Sequence, residues 1–243
     1  MRLKILLDAG TPLIVPWNYR TALTGAVYDI LRVSDKDFSL WLHERGYQSG
    51  KRTYRLFVYS NLRPLFFRPT DAGLQTDGNF SWEIATPNET FLEKFVDGLA
   101  KRGETLQLFG VDFRVLDLIK VELPAISPTR TWRTTSPVVV STWDGRSRHP
   151  IYRNGSEPEF VQALEANLLS KWEAFNNKKW EGENLNIRVW SPKSTLVPVF
   201  NINVRAWYLR LQIWGPPELI RFAYDAGLGE KNSQGFGMID IGG

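Results

Sequence analysis

Residues 226–241 read AGLGEKNSQGFGMIDI, which places Gly227, Gly229, Gly235 and Gly237 close together along the chain. Glycine adopts positive φ without a Cβ penalty and lets backbone approach closely, so such a segment can turn several amide N–H groups on one anion. The nucleotide-binding loops are the obvious chemistry to test first. A Walker loop needs Gly-Lys followed by Ser or Thr, and the third glycine of a dinucleotide fingerprint falls here on Asn232. Both motifs also run from a strand into a helix, whereas this segment leads from a helical pattern into an apolar strand. A glycine-rich hairpin with a purely structural role stays open on spacing alone.

Cations cluster elsewhere in the chain. Residues 43–68 hold Arg45, Lys51, Arg52, Arg55, Arg63 and Arg68 against Glu44 alone, and residues 127–153 hold Arg130, Arg133, Arg146, Arg148 and Arg153 against Asp144 alone. Nearly all are arginine, whose planar fork matches phosphate oxygens better than a lysine point charge does. Tyr47, Tyr54, Trp132, Trp143 and Tyr152 are interleaved with them. Exposed rings among cations are what unpaired bases stack on; a solvated strand face with half-buried aromatics fits the same pattern, and both readings stay open.

The composition excludes several chemistries. The 243 residues contain no cysteine, so disulfides, Cys-ligated zinc, iron–sulfur clusters and thiol nucleophiles are ruled out. The net charge of +4 and a pI near 9.3 permit a polyanionic partner without requiring one. With 43% hydrophobic and 23% charged residues the chain reads as an ordinary folded protein. The opening MRLKILLDAG is too short and too poorly flanked for a signal peptide or membrane span, so a soluble, cytoplasmic protein is expected.

Hydrophobic periodicity sets out the elements that must position these residues. A strand is expected over 2–8, then a helix over 19–32 and a short helix after Ser34 and Asp37 that stops near Gly46. Strands follow at 53–60 and 80–86, a helix at 89–101 capped by Asn88, and two strands in LQLFG and VDFRVLDLIKVEL. The second half repeats the order: strand 137–142, helix from about 158 to 176, strands near 185–190 and 195–213, helix 216–225 and strand 236–241. This is the split βαβ order twice, an α+β protein of two tandem ferredoxin-like (RRM-like) domains with antiparallel sheets. The expected division is residues 1–123, a proline-rich linker 124–136, and residues 137–243.

With this order in place, the terminal segment resembles the signature of the CRISPR-associated endoribonucleases of the Cas-six type, in the RAMP superfamily. The pattern is G-x-G, five residues with Lys231, Asn232 and Ser233 among them, G-x-G and a hydrophobic strand. The opening strand and helix, residues 56–62, the SPVVV segment and the helix FVQALEANLLSKWEAF are similar too. The resemblance implies metal-independent cutting of CRISPR repeat RNA, with products ending in a 2′,3′-cyclic phosphate and a 5′-hydroxyl. Such scission needs a base for the 2′-hydroxyl proton, an acid for the leaving oxygen, and a cation for the phosphorane.

The chain has two histidines. Similar proteins carry a catalytic histidine after the first helical region and ahead of a strand ending Phe-x-x-Ser-x-Leu, matched here by Phe57, Ser60 and Leu62. That points to His43, with Tyr28 on the first helix and Lys51 as the other catalytic residues. Arg52 adjoins Lys51, and either cation fits. His149, before a proline in a basic loop, suits RNA contact, as do Arg52, Arg130, Arg133, Arg146, Arg148 and the loop residues Gly227, Gly229, Lys231, Asn232, Gly235 and Gly237. No metal, cofactor or membrane is expected; the partner is CRISPR repeat RNA, bound by a monomer or homodimer. One departure stands out: many similar proteins have a further glycine pair ahead of the last helix, where this chain has none, so residues 201–203 are expected to form that turn. The alternative function is a non-catalytic RAMP-type RNA-binding subunit of a CRISPR complex.

Overall fold

The computed structural model describes all residues except 128, 144, 146–149, 201 and 243. Its first sheet is centred on Arg2–Asp8, which pairs antiparallel with Val111–Val121 on one side and Asn79–Ala85 on the other. Thr105–Leu108 extends the first edge, and Val58–Tyr59 and Arg63–Pro64 pair with Asn79–Ala85 at the second. Helices α1 (Tyr19–Ser34), α2 (Lys36–Glu44) and α3 (Glu89–Lys101) complete this half. Leu23, Val27, Ile30 and Leu31 of α1, with Phe91, Phe95 and Leu99 of α3, form the helical stripes that bury against Ile5, Leu7 and Trp82. A Cβ at Gly98 would stand 2.1 Å from the Ile30 carbonyl oxygen, so glycine lets α3 touch the α1 backbone. The cap of α2 is Asp35, whose carboxylate accepts from the Phe38 amide at 2.9 Å. It falls one residue beyond the expected Ser34 because α1 continues through Ser34.

The second sheet has the spatial order Asn186–Val189, Arg210–Trp214, Thr131–Thr134, Ile239–Ile241, all antiparallel. Helices α4 (Pro158–Asn176) and α5 (Pro217–Ala226) pack around Trp132, Leu164, Leu168 and Leu211. With α2, the edge strand Thr105–Leu108 and the hairpins set aside as additions, each half runs strand, helix, strand, strand, helix, strand, and the fold is the tandem ferredoxin-like α+β arrangement with antiparallel sheets.

The strand boundaries differ from expectation in four places. The first strand of the second sheet, Thr131–Thr134, lies inside the stretch expected as linker, where prolines at 124 and 137 flank a fully buried Trp132. In the expected strand 137–142, Val138 and Val139 make only isolated bridges, to Trp207 and Glu230, before the short strand Ser141–Thr142. The expected strand 53–60 is broken: Arg52–Tyr54 pairs with Tyr47–Ser49, Val58–Tyr59 joins the first sheet, and Leu56 between them has φ 49°. The stretch 195–213 resolves into a hairpin, Lys193–Val199 with Ile202–Tyr208, and a separate strand Arg210–Trp214. Ile202 and Asn203 pair with Val199 and Pro198 inside the hairpin, so they belong to a strand rather than to the turn expected at residues 201–203, and residue 201 lies outside the described residues. Among the described residues no helix is long and apolar enough to cross a membrane.

Candidate active site

A cleft of about 580 Å³ opens between the two halves. Thr24 and Tyr28 of α1, His43 in the last turn of α2 and Arg52–Leu56 form one wall. Residues 229–234 of the glycine-rich segment form the other, over Asn167 and Lys171 of α4. Two candidate catalytic residues, separated by 15 positions in sequence, thus share one wall and face the candidate binding loop.

His43 is exposed, and its ring meets Tyr28 edge-on with centroids 5.0 Å apart. The pair is held from behind. Ser39 on α2 donates through Oγ to the Tyr28 carbonyl at 3.0 Å, and Tyr28 packs edge-on against the buried Phe57 at 5.8 Å. Burial pushes the Tyr28 phenol up to about 12, while the neighbouring Arg55 opposes the shift through its charge and a hydrogen bond. Near neutral pH the phenol therefore keeps its proton.

Arg55, one of the cations clustered in residues 43–68, adjoins this pair although nothing in its spacing marks it. Its guanidinium donates to the His43 carbonyl oxygen and bonds the Tyr28 side chain, so it touches both members of the pair. The left-handed Leu56 ends the strand pairing beside it. At Gly46, φ +58°, a Cβ would fall 2.4 Å from the Tyr54 carbonyl oxygen, so glycine lets the chain after α2 cross close to Arg55. Arg52 also lines the cleft, whereas Lys51 sits exposed in the turn before it and does not. Arg130 and Arg133 stand apart from the cleft: Arg133 projects from the second sheet opposite Arg210 and Asp240, and Arg130 precedes that strand. Arg146, Arg148 and His149 lie outside the described residues.

The glycine loop is built differently from a ring of glycine amides around an anion. The amides of Gly227, Gly235 and Gly237 donate to the carbonyls of Ala223, Asn232 and Pro137 at 2.9–3.0 Å, and all four glycines are buried. What faces the cleft is the stretch from Gly229 to Gln234, with Lys231, Ser233 and Gln234 partly exposed. This stretch is fastened to α1: Thr24 Oγ1 reaches the Ser233 carbonyl at 3.3 Å, and Arg20 Nε reaches the Gly235 carbonyl at 3.3 Å. The side chain of Asn232 turns inward and bonds the Leu228 and Phe236 carbonyls.

Two further residues escaped the sequence reading. Lys171 is 1% exposed beneath the loop, and burial pulls its ammonium down to about 7 with Glu230 pulling the other way. Its signal was present: Leu164, Asn167, Leu168 and Lys171 recur at helical spacing, which puts a lysine on the apolar stripe of α4. Glu230 accepts from the amide and hydroxyl of Ser141 at 3.1 and 2.9 Å, which fixes the neighbouring lip. At the rim Trp143 and Phe200 expose 72% and 51% of their surface, leaving two rings free to stack on bases. Among the described residues no group of three or more acidic or histidine side chains could hold a metal ion.

Residues 121–241 match the family described as CRISPR associated protein Cas6, C-terminal. Over 98% of its length the chain is 32% identical to a CRISPR-associated endoribonuclease Cas6 of Methanocaldococcus jannaschii, covering 92% of that protein. It is 26% identical to a CRISPR-associated endoribonuclease Cas6 of Pyrococcus furiosus, over 94% of this chain and 84% of that one. A solved structure described as CRISPR associated protein Cas6 superposes with a TM-score of 0.82 at 28% identity, covering 100% of this chain and 99% of the other.

Proposed function

Because the chain belongs to the Cas6 family of CRISPR-associated proteins, we propose that it cuts CRISPR repeat RNA into guide units by attack of the 2′-hydroxyl beside the scissile phosphate. In this reaction the O2′–phosphorus bond forms as the proton leaves O2′, and the phosphorus–O5′ bond breaks as a proton reaches O5′. The products carry a 2′,3′-cyclic phosphate and a 5′-hydroxyl, and no metal is needed. The observation that carries this reading is the His43–Tyr28 pair, 5.0 Å apart at the cleft wall that faces the glycine loop.

His43 is the proton-transfer group, the role that a positioned imidazole most often takes in general acid–base chemistry. Tyr28, kept protonated by burial, donates a hydrogen bond to an oxygen of the reacting phosphate. Arg55 and Arg52, which line the cleft, supply positive charge for the phosphorane in place of Lys51. The RNA backbone runs along residues 229–234, with bases stacking on Trp143 and Phe200.

The test is incubation with the cognate repeat RNA in EDTA, repeated with a 2′-deoxy sugar at the cut site. Cleavage in EDTA that the deoxy sugar abolishes is the expected result. Cutting that EDTA stops overturns the metal-independent mechanism. Binding without cutting in any buffer assigns the chain instead to RNA-binding subunits of the RAMP type.

A further inference from the structure

The glycine loop encloses a buried polar cluster that the proposed chemistry does not use. Lys171 Nζ donates to the Gly227 carbonyl at 2.6 Å, the Gly229 carbonyl at 3.0 Å and Asn232 Oδ1 at 3.0 Å, one acceptor for each ammonium proton. Asn232 Nδ2 then donates to the Leu228 carbonyl at 3.0 Å and the Phe236 carbonyl at 2.9 Å. These two side chains therefore grip both ends of the loop from inside.

The glycines make room for this arrangement. A Cβ at Gly227 would stand 2.9 Å from Asn232 Nδ2, and one at Gly237 would stand 2.7 Å from the same nitrogen and 1.9 Å from the Leu228 carbonyl oxygen. Both positions have positive φ. Side chains there would collide with the Asn232 amide, so the spacing of the signature is set by what lies within the loop as much as by what passes outside it. A buried ammonium is tolerated when its protons are all donated, and removing it strands three acceptors.

We propose that Lys171 and Asn232 form an internal clamp that holds residues 229–234 in their RNA-binding shape, Lys171 being a positioning residue that does not itself touch the phosphate. The inference rests on the RNA-processing reading above for its functional consequence. Its structural consequence can be measured without RNA.

Lys171→Met keeps an unbranched apolar side chain that fills most of the stem's volume and removes the three donors. Repeat-RNA affinity should fall about tenfold or more, while the single-turnover cleavage rate at saturating protein stays within about threefold of wild type. Partial misfolding would instead lower the active fraction in a stoichiometric titration and leave the affinity of the folded remainder unchanged. The dependence of affinity on salt should also be unchanged, whereas Lys231→Ala, which removes a loop cation partly exposed at the cleft, should reduce the slope by about one. Wild-type affinity in folded Lys171→Met overturns the clamp, and a reduced salt slope in that variant overturns the indirect role.

If Lys171→Met does not fold, Asn232→Asp serves as the second variant. It keeps the oxygen facing Lys171 and replaces the Nδ2 donor with an acceptor facing two carbonyls; unchanged RNA affinity would overturn the clamp. Should wild-type protein neither bind nor cut repeat RNA, the functional reading fails, and amide hydrogen exchange still decides the clamp. Exchange across residues 229–237 should quicken in either variant relative to wild type, and an unaltered rate in a folded variant overturns the inference.

Discussion

At the scale of single residues, the functional reading turns on which groups the cleft brings into contact. A positioned histidine contributes on the order of 10² to 10⁴ in rate. His43→Ala should therefore lose most cleavage of the cognate repeat in a gel assay while keeping its RNA affinity, and undiminished cutting would remove the histidine from the mechanism. Arg55 makes a sharper forecast because it competes with a neighbour chosen from sequence. Arg55→Ala should lower the single-turnover rate about 10²-fold, the scale of one lost donor at a developing negative charge, whereas Lys51→Ala should change it little. The reverse ranking would return the role to Lys51. Burial lifts Tyr28 to about 12, so its phenol stays protonated from acid pH to well above neutrality. Tyr28→Phe should accordingly lower the cleavage rate without moving any inflection of the pH–rate profile below about pH 10, the ordinary phenol range. Tyr28 and His43 were within reach of the sequence because the family pattern anchors them to a helix and to the Phe57, Ser60, Leu62 spacing. Arg55 was not. Read as one strand, residues 53–60 hide the left-handed Leu56 that separates Arg55 from the first sheet, and nothing in a leucine signals positive φ.

At the scale of elements, periodicity and cap signals located the five α-helices of the described residues: α1, α3, α4 and α5 bury apolar stripes in the two cores, while the shorter α2 packs on α1. Strands were harder to read. Thr131–Thr134 has four residues between prolines, and the turn-like composition around it outweighed a single buried Trp132. The glycine loop was legible as a motif, but its working parts were not: the glycines are buried, and the surface they support is Gly229 to Gln234. The clamp also gives this element a pH dependence. Burial lowers Lys171 from the ordinary lysine range to about 7, so the ammonium that holds the loop is present below that pH and is lost as pH rises through it. Repeat-RNA affinity should then be fullest in mild acid and decline across neutrality, with Lys171→Met flat over the same range. Glu230 is the charged group shown acting on Lys171, and His43, Tyr28 and Arg55 stand on the facing wall. Measuring the profile from about pH 6 to about pH 9 in a His43→Ala background takes the histidine of the facing wall out of the comparison. A decline that persists in the double variant would place the titrating group elsewhere.

At the scale of the whole molecule, the cleft exists only while its two walls keep their separation, because one wall belongs to the first half of the chain and the other to the second. The fastening on the cleft side is α1, through Thr24 and Arg20 to the loop backbone. A second fastening lies where the two sheets meet. Arg2, on the central strand of the first sheet, has a fully buried side chain that pairs with Glu83 at 3.3 Å and approaches Asp240 of the second sheet at 3.8 Å. It also donates to the carbonyls of Tyr224 and Ile239 at 3.1 and 2.7 Å, and its guanidinium lies 3.6 Å from the centre of the Tyr224 ring. An arginine in an opening apolar strand carries no sequence sign of this, since its partners are more than 200 residues away for the second sheet. Removing one member of a buried ion pair costs about 3–5 kcal/mol because the remaining charge is stranded. Arg2→Ala should therefore destabilise the protein by roughly that amount in chemical denaturation. It should also lower RNA affinity and cleavage together, through loss of the walls' relative placement, where His43→Ala lowers cleavage alone. A folded Arg2→Ala protein with wild-type affinity and rate would mean that the contacts between α1 and the glycine loop are sufficient to keep the cleft, and that the junction of the sheets contributes stability only.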